Sequence, residues 1–169
     1  MQQPEKKLQR LWELTRTIFN IRLELENWLS LGSLGLSIMF VLLLTSFYNF
    51  LIGSEGKGPD RYVDINGVII KTISISAVPS LILAGIAFGL SKNYGNRLTG
   101  LLLSFSGIIM SIGMIFSINF TQRIDSEFYQ PILVIVPYIF IFGGIGIFII
   151  GLLLYLKSKK GINRQRRFN

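Results

Sequence analysis

Four stretches of this chain contain no Asp, Glu, Lys or Arg: 27–54, 72–91, 98–122 and 128–156. No other feature restricts the fold as severely. A helix crosses a hydrocarbon layer about 30 Å thick with about 20 mostly apolar residues. Trimmed to their apolar cores, the spans are expected at 28–52, 72–90, 98–118 and 132–156. A soluble domain could not cover four such helices, because only 15% of the 169 residues are charged, against roughly 25% in soluble proteins. The expected fold is therefore an all-α integral membrane protein, a four-transmembrane-helix bundle over 28–156. An amphipathic N-terminal helix precedes it over 1–27, a short extracytoplasmic β-hairpin lies in the loop 53–71, and a polybasic cytoplasmic tail follows over 157–169.

The positively charged residues set the orientation. Segments 1–27, 91–97 and 157–169 carry five, two and six Lys/Arg, whereas 53–71 and 119–131 carry three and one. Cytoplasmic segments are enriched in Lys and Arg. The expectation is a multi-pass protein of the plasma membrane with both termini cytoplasmic. The first span is too long, and too much charged sequence precedes it, for a cleaved signal peptide. No cysteine is present for lipidation, and Met1-Gln2 is not a myristoylation start.

Before the first span, Leu8, Leu11, Trp12, Ile18, Phe19 and Leu25 recur near the helical period. Five cations and four acids nearly cancel there, so the aromatic rings rather than charge suit that helix to the interface. In the first loop, Asn66-Gly67 stands between Tyr62-Val63-Asp64-Ile65 and Val68-Ile69-Ile70-Lys71. Asn-Gly between β-prone runs predicts a hairpin. An isolated hairpin is marginal, so it is expected to dock on the 119–131 loop or on another protein. Glu55, Asp60 and Asp64 match no calcium-loop spacing and read as solvated acids.

Two prolines fall inside spans. Pro79 removes the helical donor to the Ile75 carbonyl, with Ser76 and Ser80 placed to help satisfy the backbone. Pro137 likewise frees the carbonyl of Leu133. Both read as helix kinks. Small residues recur at helical spacing: Gly100, Ser104, Gly107 and Ser111 in the third span, with Ser106, Gly113 and Ser117 as a second row. The second span has Ser80, Ala84, Ala87 and Ser91, and a GxxxG at Gly85 and Gly89. Lipid gives helices no hydrophobic drive to associate, and small residues permit close backbone approach. With a short turn between them, the second and third spans are expected to pack tightly as an antiparallel pair.

Chemistry is scarce. Cysteine and histidine are absent, which excludes disulfides, thiol nucleophiles and imidazole-based metal or acid–base sites. No ionisable residue lies within a span, and proton relays and ion pathways depend on such residues. Asp125 and Glu127 could act as an external carboxylate pair, but two residues apart on a loop and without a third group they read as surface acids. No catalytic residue, cofactor or metal is expected, and the protein is read as not an enzyme. The Asn119-Phe120-Thr121 sequon sits too near the membrane edge to be used.

Lys157, Lys159, Lys160, Arg164, Arg166 and Arg167 form a tail without acids, suited to anionic lipid headgroups. With only Phe168 beside them, nucleic acid is not expected. The expected function is that of a non-catalytic accessory or scaffold subunit of a larger membrane complex, assembled with other subunits or with itself through the small-residue faces. The alternative is a small oligomeric channel or carrier for uncharged or weakly polar solutes.

Overall fold

The computed structural model describes residues 25–53, 58–59, 63–93 and 95–165, with the side chains of 127 and 159–165 outside that description. The expected N-terminal amphipathic helix lies almost wholly outside the described residues, as do Arg166 and Arg167. Four helices are long and apolar enough to cross a membrane: α1 (Leu25–Ile52), α2 (Ile65–Ser91), α3 (Arg97–Thr121) and α4 (Pro131–Gln165, spanning over Pro131–Ser158). Each expected span falls within one of them. The shortest has 25 residues, about 37 Å at 1.5 Å per residue, enough for the hydrocarbon layer and part of each interface. Among the described residues the protein is all-helical, with four helices suited to a multi-pass membrane protein. Leu25, Ser91–Arg97 and Ser158 share one end of the bundle, called the termini end. Ile52, Ile65 and 121–131 share the far end.

No strand occurs among the described residues, and the expected hairpin is replaced by the first turns of α2. Asp64 caps that helix, accepting the Gly67 N–H at 3.1 Å. A side-chain acceptor at the N-cap satisfies one of the helix's free donors. The run after Asn66-Gly67 then continues in helical phase, burying Ile65 and Ile69. Beside a bilayer, a helix satisfies its backbone internally and an isolated hairpin cannot. One contact expected of the hairpin is made by the loop instead, where Gly58 lies against the Phe128 ring.

α1 buries Ser30, Ser33, Ser37, Phe40, Leu44, Tyr48 and Leu51. The alternating three- and four-residue steps put these on one face. In space the helices run α2, α1, α3, α4. α3 packs most extensively on α4 and then on α1, while α2 packs on α1. The expected tight pairing of the second and third spans is thus corrected, because α2 and α3 barely meet. The reason is which faces match. The buried face of α2 is Ser80, Ala84, Ala87 and Ser91, and the serines that answer it stand on α1.

The two prolines sit in different surroundings. A π turn, Ile73–Ala77, ends two residues before Pro79, with the Val78 N–H bonded to the Ile73 carbonyl. Thr72 Oγ1 and Ser76 Oγ donate to the carbonyls of Val68 and Thr72, at 2.9 and 2.7 Å. Ser80 bonds to α1 instead. Pro137 lies inside the continuous α4. The Leu133 carbonyl it frees accepts the Tyr48 hydroxyl from α1 at 2.8 Å.

Candidate functional site: the helix contacts and the bundle ends

The α3–α4 contact is made backbone to backbone. A Cβ added at Gly107 would stand 2.5 Å from both the Gly144 carbonyl oxygen and the Phe148 nitrogen. At Gly100 it would stand 2.7 Å from the Tyr155 nitrogen and 2.8 Å from the Gly151 oxygen. Gly144 and Gly151 answer from α4, the first meeting Ser111 and the Gly107 oxygen, the second meeting Ser104 and the Gly100 oxygen. The row Gly100, Ser104, Gly107 and Ser111 therefore lies against α4. Ser104 Oγ donates to its own helix at Gly100, and Ser111 Oγ makes only a long 3.5 Å bond to Ile141. The second row turns to α1, where a Cβ at Gly113 would collide with Val41.

Gly85 and Gly89 are placed differently. Neither has any atom within 4 Å of where a Cβ would stand. They occupy the face of α2 opposite Ser80, Ala84, Ala87 and Ser91, beside the exposed Ile82 and Ile86. Among the described residues the GxxxG packs on nothing.

A serine cluster joins α1, α2 and α3 in the interior. Ser33 Oγ donates to the Ser80 carbonyl at 3.0 Å, and Ser80 Oγ donates to the Ser33 carbonyl at 2.8 Å. Ser37 Oγ lies 2.7 Å from both Ser80 Oγ and Ser106 Oγ. All four side chains are fully buried. A hydroxyl has one hydrogen to give, and Ser80 has already given its own. Ser37 must then donate to Ser80, and Ser106 to Ser37. The result is a directed chain from Ser106 through Ser37 and Ser80 to the Ser33 carbonyl. Sequence reasoning marked the Ser80 and Ser106 rows but missed Ser30, Ser33 and Ser37, whose three- and four-residue spacing was the available signal.

The termini end carries a second polar cluster. Asn96 caps α3 through the Leu98 N–H and donates to Glu26 Oε1 at 2.7 Å and Asn27 Oδ1 at 3.0 Å. Thr99 Oγ1 donates to the same Asn27 oxygen at 2.7 Å. Nearby, α4 closes on the α2–α3 turn. Lys157 Nζ donates to the Lys92 carbonyl, and the Arg97 guanidinium lies 5.9 Å from the Tyr155 ring centre. Gly95, at φ +69°, approaches the backbone of Ser158. There a side chain would be strained by its own backbone as well as by contact. Of the basic tail, Lys157 is exposed, and the backbone of Lys159, Lys160 and Arg164 continues as helix.

At the far end, Asp125 Oδ1 accepts from Ser126 Oγ at 3.2 Å ahead of a 3₁₀ turn, Ser126–Phe128. The Asn119 side chain makes only a long bond to Ile115, at 3.5 Å. Beside it, Phe116, Asn119, Phe120, Gln122 and Arg123 line an open groove of about 500 Å³. Compared with known proteins, the chain matches no family model, and neither a curated protein nor a solved structure is detectably similar to it.

Proposed function

We propose that the protein is a non-catalytic accessory or scaffold subunit of a larger membrane complex, offering the outward face of α2 to another membrane helix. The supporting observation is the open GxxxG. Glycine costs a helix interior about 1 kcal/mol relative to alanine. Gly100 and Gly107 offset that cost with close contact to α4, whereas Gly85 and Gly89 have no such contact among the described residues. A second membrane helix lying across Gly85 and Gly89 supplies the same kind of contact, because GxxxG permits backbone approach between helices. The occupant is another subunit or a second copy. In this reading both termini lie on the cytoplasmic side of the plasma membrane, an orientation the Lys/Arg distribution supports. There, the tail residues from Lys157 to Arg167 lie against anionic headgroups.

The test is gentle extraction of the tagged full-length protein, followed by native gels and native mass spectrometry. A co-purifying membrane subunit or self-oligomer is expected. Gly85→Leu and Gly89→Leu should release it, while Gly146→Leu, equally open on α4, should not. A lone monomer would overturn the reading, as would solute flux through the purified protein in liposomes.

A further inference from the structure

The groove at the far end is ordered by depth. Arg123 and Gln122 lie just beyond the end of α3 at Thr121. Asn119 and Phe120 come within the last turn, and Phe116 lies one turn further in. At 1.5 Å per residue, Phe116 sits about 10 Å deeper than Arg123. Spacing of three to four residues puts 116, 119 and 120 on one side of the helix axis, and Arg123 follows in the turn beyond it. A cation and an amide therefore stand at the mouth, Phe120 and Asn119 stand below them, and Phe116 stands deepest.

Among the described residues, none of these polar groups is strongly engaged elsewhere. Asn119 is held only by the 3.5 Å bond to Ile115, at the limit of a useful geometry. Asp125, the nearest acid along the chain, is engaged by Ser126. Phe116 is open as well, 62% exposed, while Phe120 is half-buried against the core. The volume of about 500 Å³ lies within the roughly 300–1,000 Å³ of small-molecule sites.

We infer that this groove binds one phospholipid from the leaflet at the far end. Its phosphate pairs with the Arg123 guanidinium, which is shaped for bidentate contact with phosphate oxygens. Gln122 beside it and Asn119 below donate to the glycerol and ester oxygens. An acyl chain runs along Phe116 and Phe120. A small soluble anion would leave the rings without a role, and a bare hydrocarbon chain would leave Arg123 without one. Only a molecule with both parts, in this order of depth, uses the whole groove. The inference does not depend on the subunit role proposed for α2.

The experiment uses the full-length protein, stripped of lipid in detergent and exposed to phosphatidylglycerol, with bound lipid counted by native mass spectrometry. One tightly retained lipid is expected. Arg123→Gln should lower its retention at least about tenfold, as the loss of a charge-assisted hydrogen bond does, and Arg123→Lys should restore part of it. Phe116→Ala should weaken retention too. Lys71→Gln removes an exposed cation at the same end but outside the groove and should change nothing. An excess of inorganic phosphate should leave the lipid in place. The inference fails if Arg123→Gln retains lipid like the wild type. It also fails if Lys71→Gln is as damaging, which would mean general charge attraction, or if phosphate alone displaces the lipid. Arg123 is exposed in a turn, so a folded variant is expected, and an unchanged unfolding midpoint verifies it.

Discussion

Gly107→Ala adds a single methyl group where the structure has no room for one. That methyl would lie 2.5 Å from the Gly144 oxygen and the Phe148 nitrogen. Both are backbone atoms of a helix, so neither can swing aside as a side-chain tip would. Ordinary contact lies at about 3.5 Å, so α3 and α4 must part by about 1 Å at this crossing. A gap of that size forfeits a quarter to a half of each contact's attraction, at about 0.1–0.2 kcal/mol per atom pair. A few tens of atom pairs lose contact along the Gly100–Ser111 row, giving about 2 kcal/mol. That agrees with the roughly 1–3 kcal/mol of overpacking in general. In lipid this loss is not masked by a hydrophobic term between helices.

The assay is reversible unfolding in mixed micelles, read by tryptophan fluorescence or by steric trapping. Gly146→Ala on the open face of α4 is the internal control. It meets nothing within 4 Å among the described residues and should be neutral, or stabilising by up to about 1 kcal/mol through helix propensity. The reasoning is refuted if Gly107→Ala unfolds within about 0.5 kcal/mol of the wild type, or if Gly146→Ala is as harmful.

Three further outcomes are expected. Tyr48→Phe strips the Leu133 carbonyl of its donor and should cost about 1 kcal/mol. In the Pro137→Ala background the restored backbone N–H takes over that carbonyl, so the cost should shrink, and a double-mutant cycle in the same unfolding assay measures the coupling. Ser37→Ala removes two bonds of the buried serine chain and leaves the Ser106 hydroxyl without its acceptor. It should destabilise by about 1–2 kcal/mol, more than Ser104→Ala, whose bond stays within α3. Asp64→Ala removes the cap of α2 and should cost about 1 kcal/mol. It should also speed amide exchange over 65–68, whereas Asp64→Asn keeps a capping oxygen and most of the protection.

The four spans were legible because charge exclusion is a property of composition and needs no partner. The freed carbonyl of Leu133 was legible for a similar reason, since proline chemistry is local. Its donor was not, because Tyr48 lies 85 residues away and only tertiary structure brings it near. The small-residue rows told which faces of α2 and α3 are narrow, but not which helix lies against each. Periodicity carries no address, so the turn between the two spans suggested the wrong neighbour. Asn66-Gly67 misled for a different reason. Its turn preference is local, and it yielded to a capped helix leading straight into the bilayer. The serines of α1 went unmarked because single hydroxyls in an apolar stretch look incidental until three helices place them together.

The serine chain has one more consequence, for movement along the helix axes. Helices held only by smooth apolar faces can slide, because dispersion has no direction. Here the hydroxyl of Ser80 grips the α1 backbone at Ser33, while Ser37 holds Ser80 and Ser106 at once. Advancing α2 along α1 by a single residue, about 1.5 Å, would stretch these bonds together rather than in turn. The cluster acts as a detent, a notch that locks the heights of three helices relative to one another. Any motion this bundle makes in a membrane is then restricted to swinging about that level rather than sliding past it.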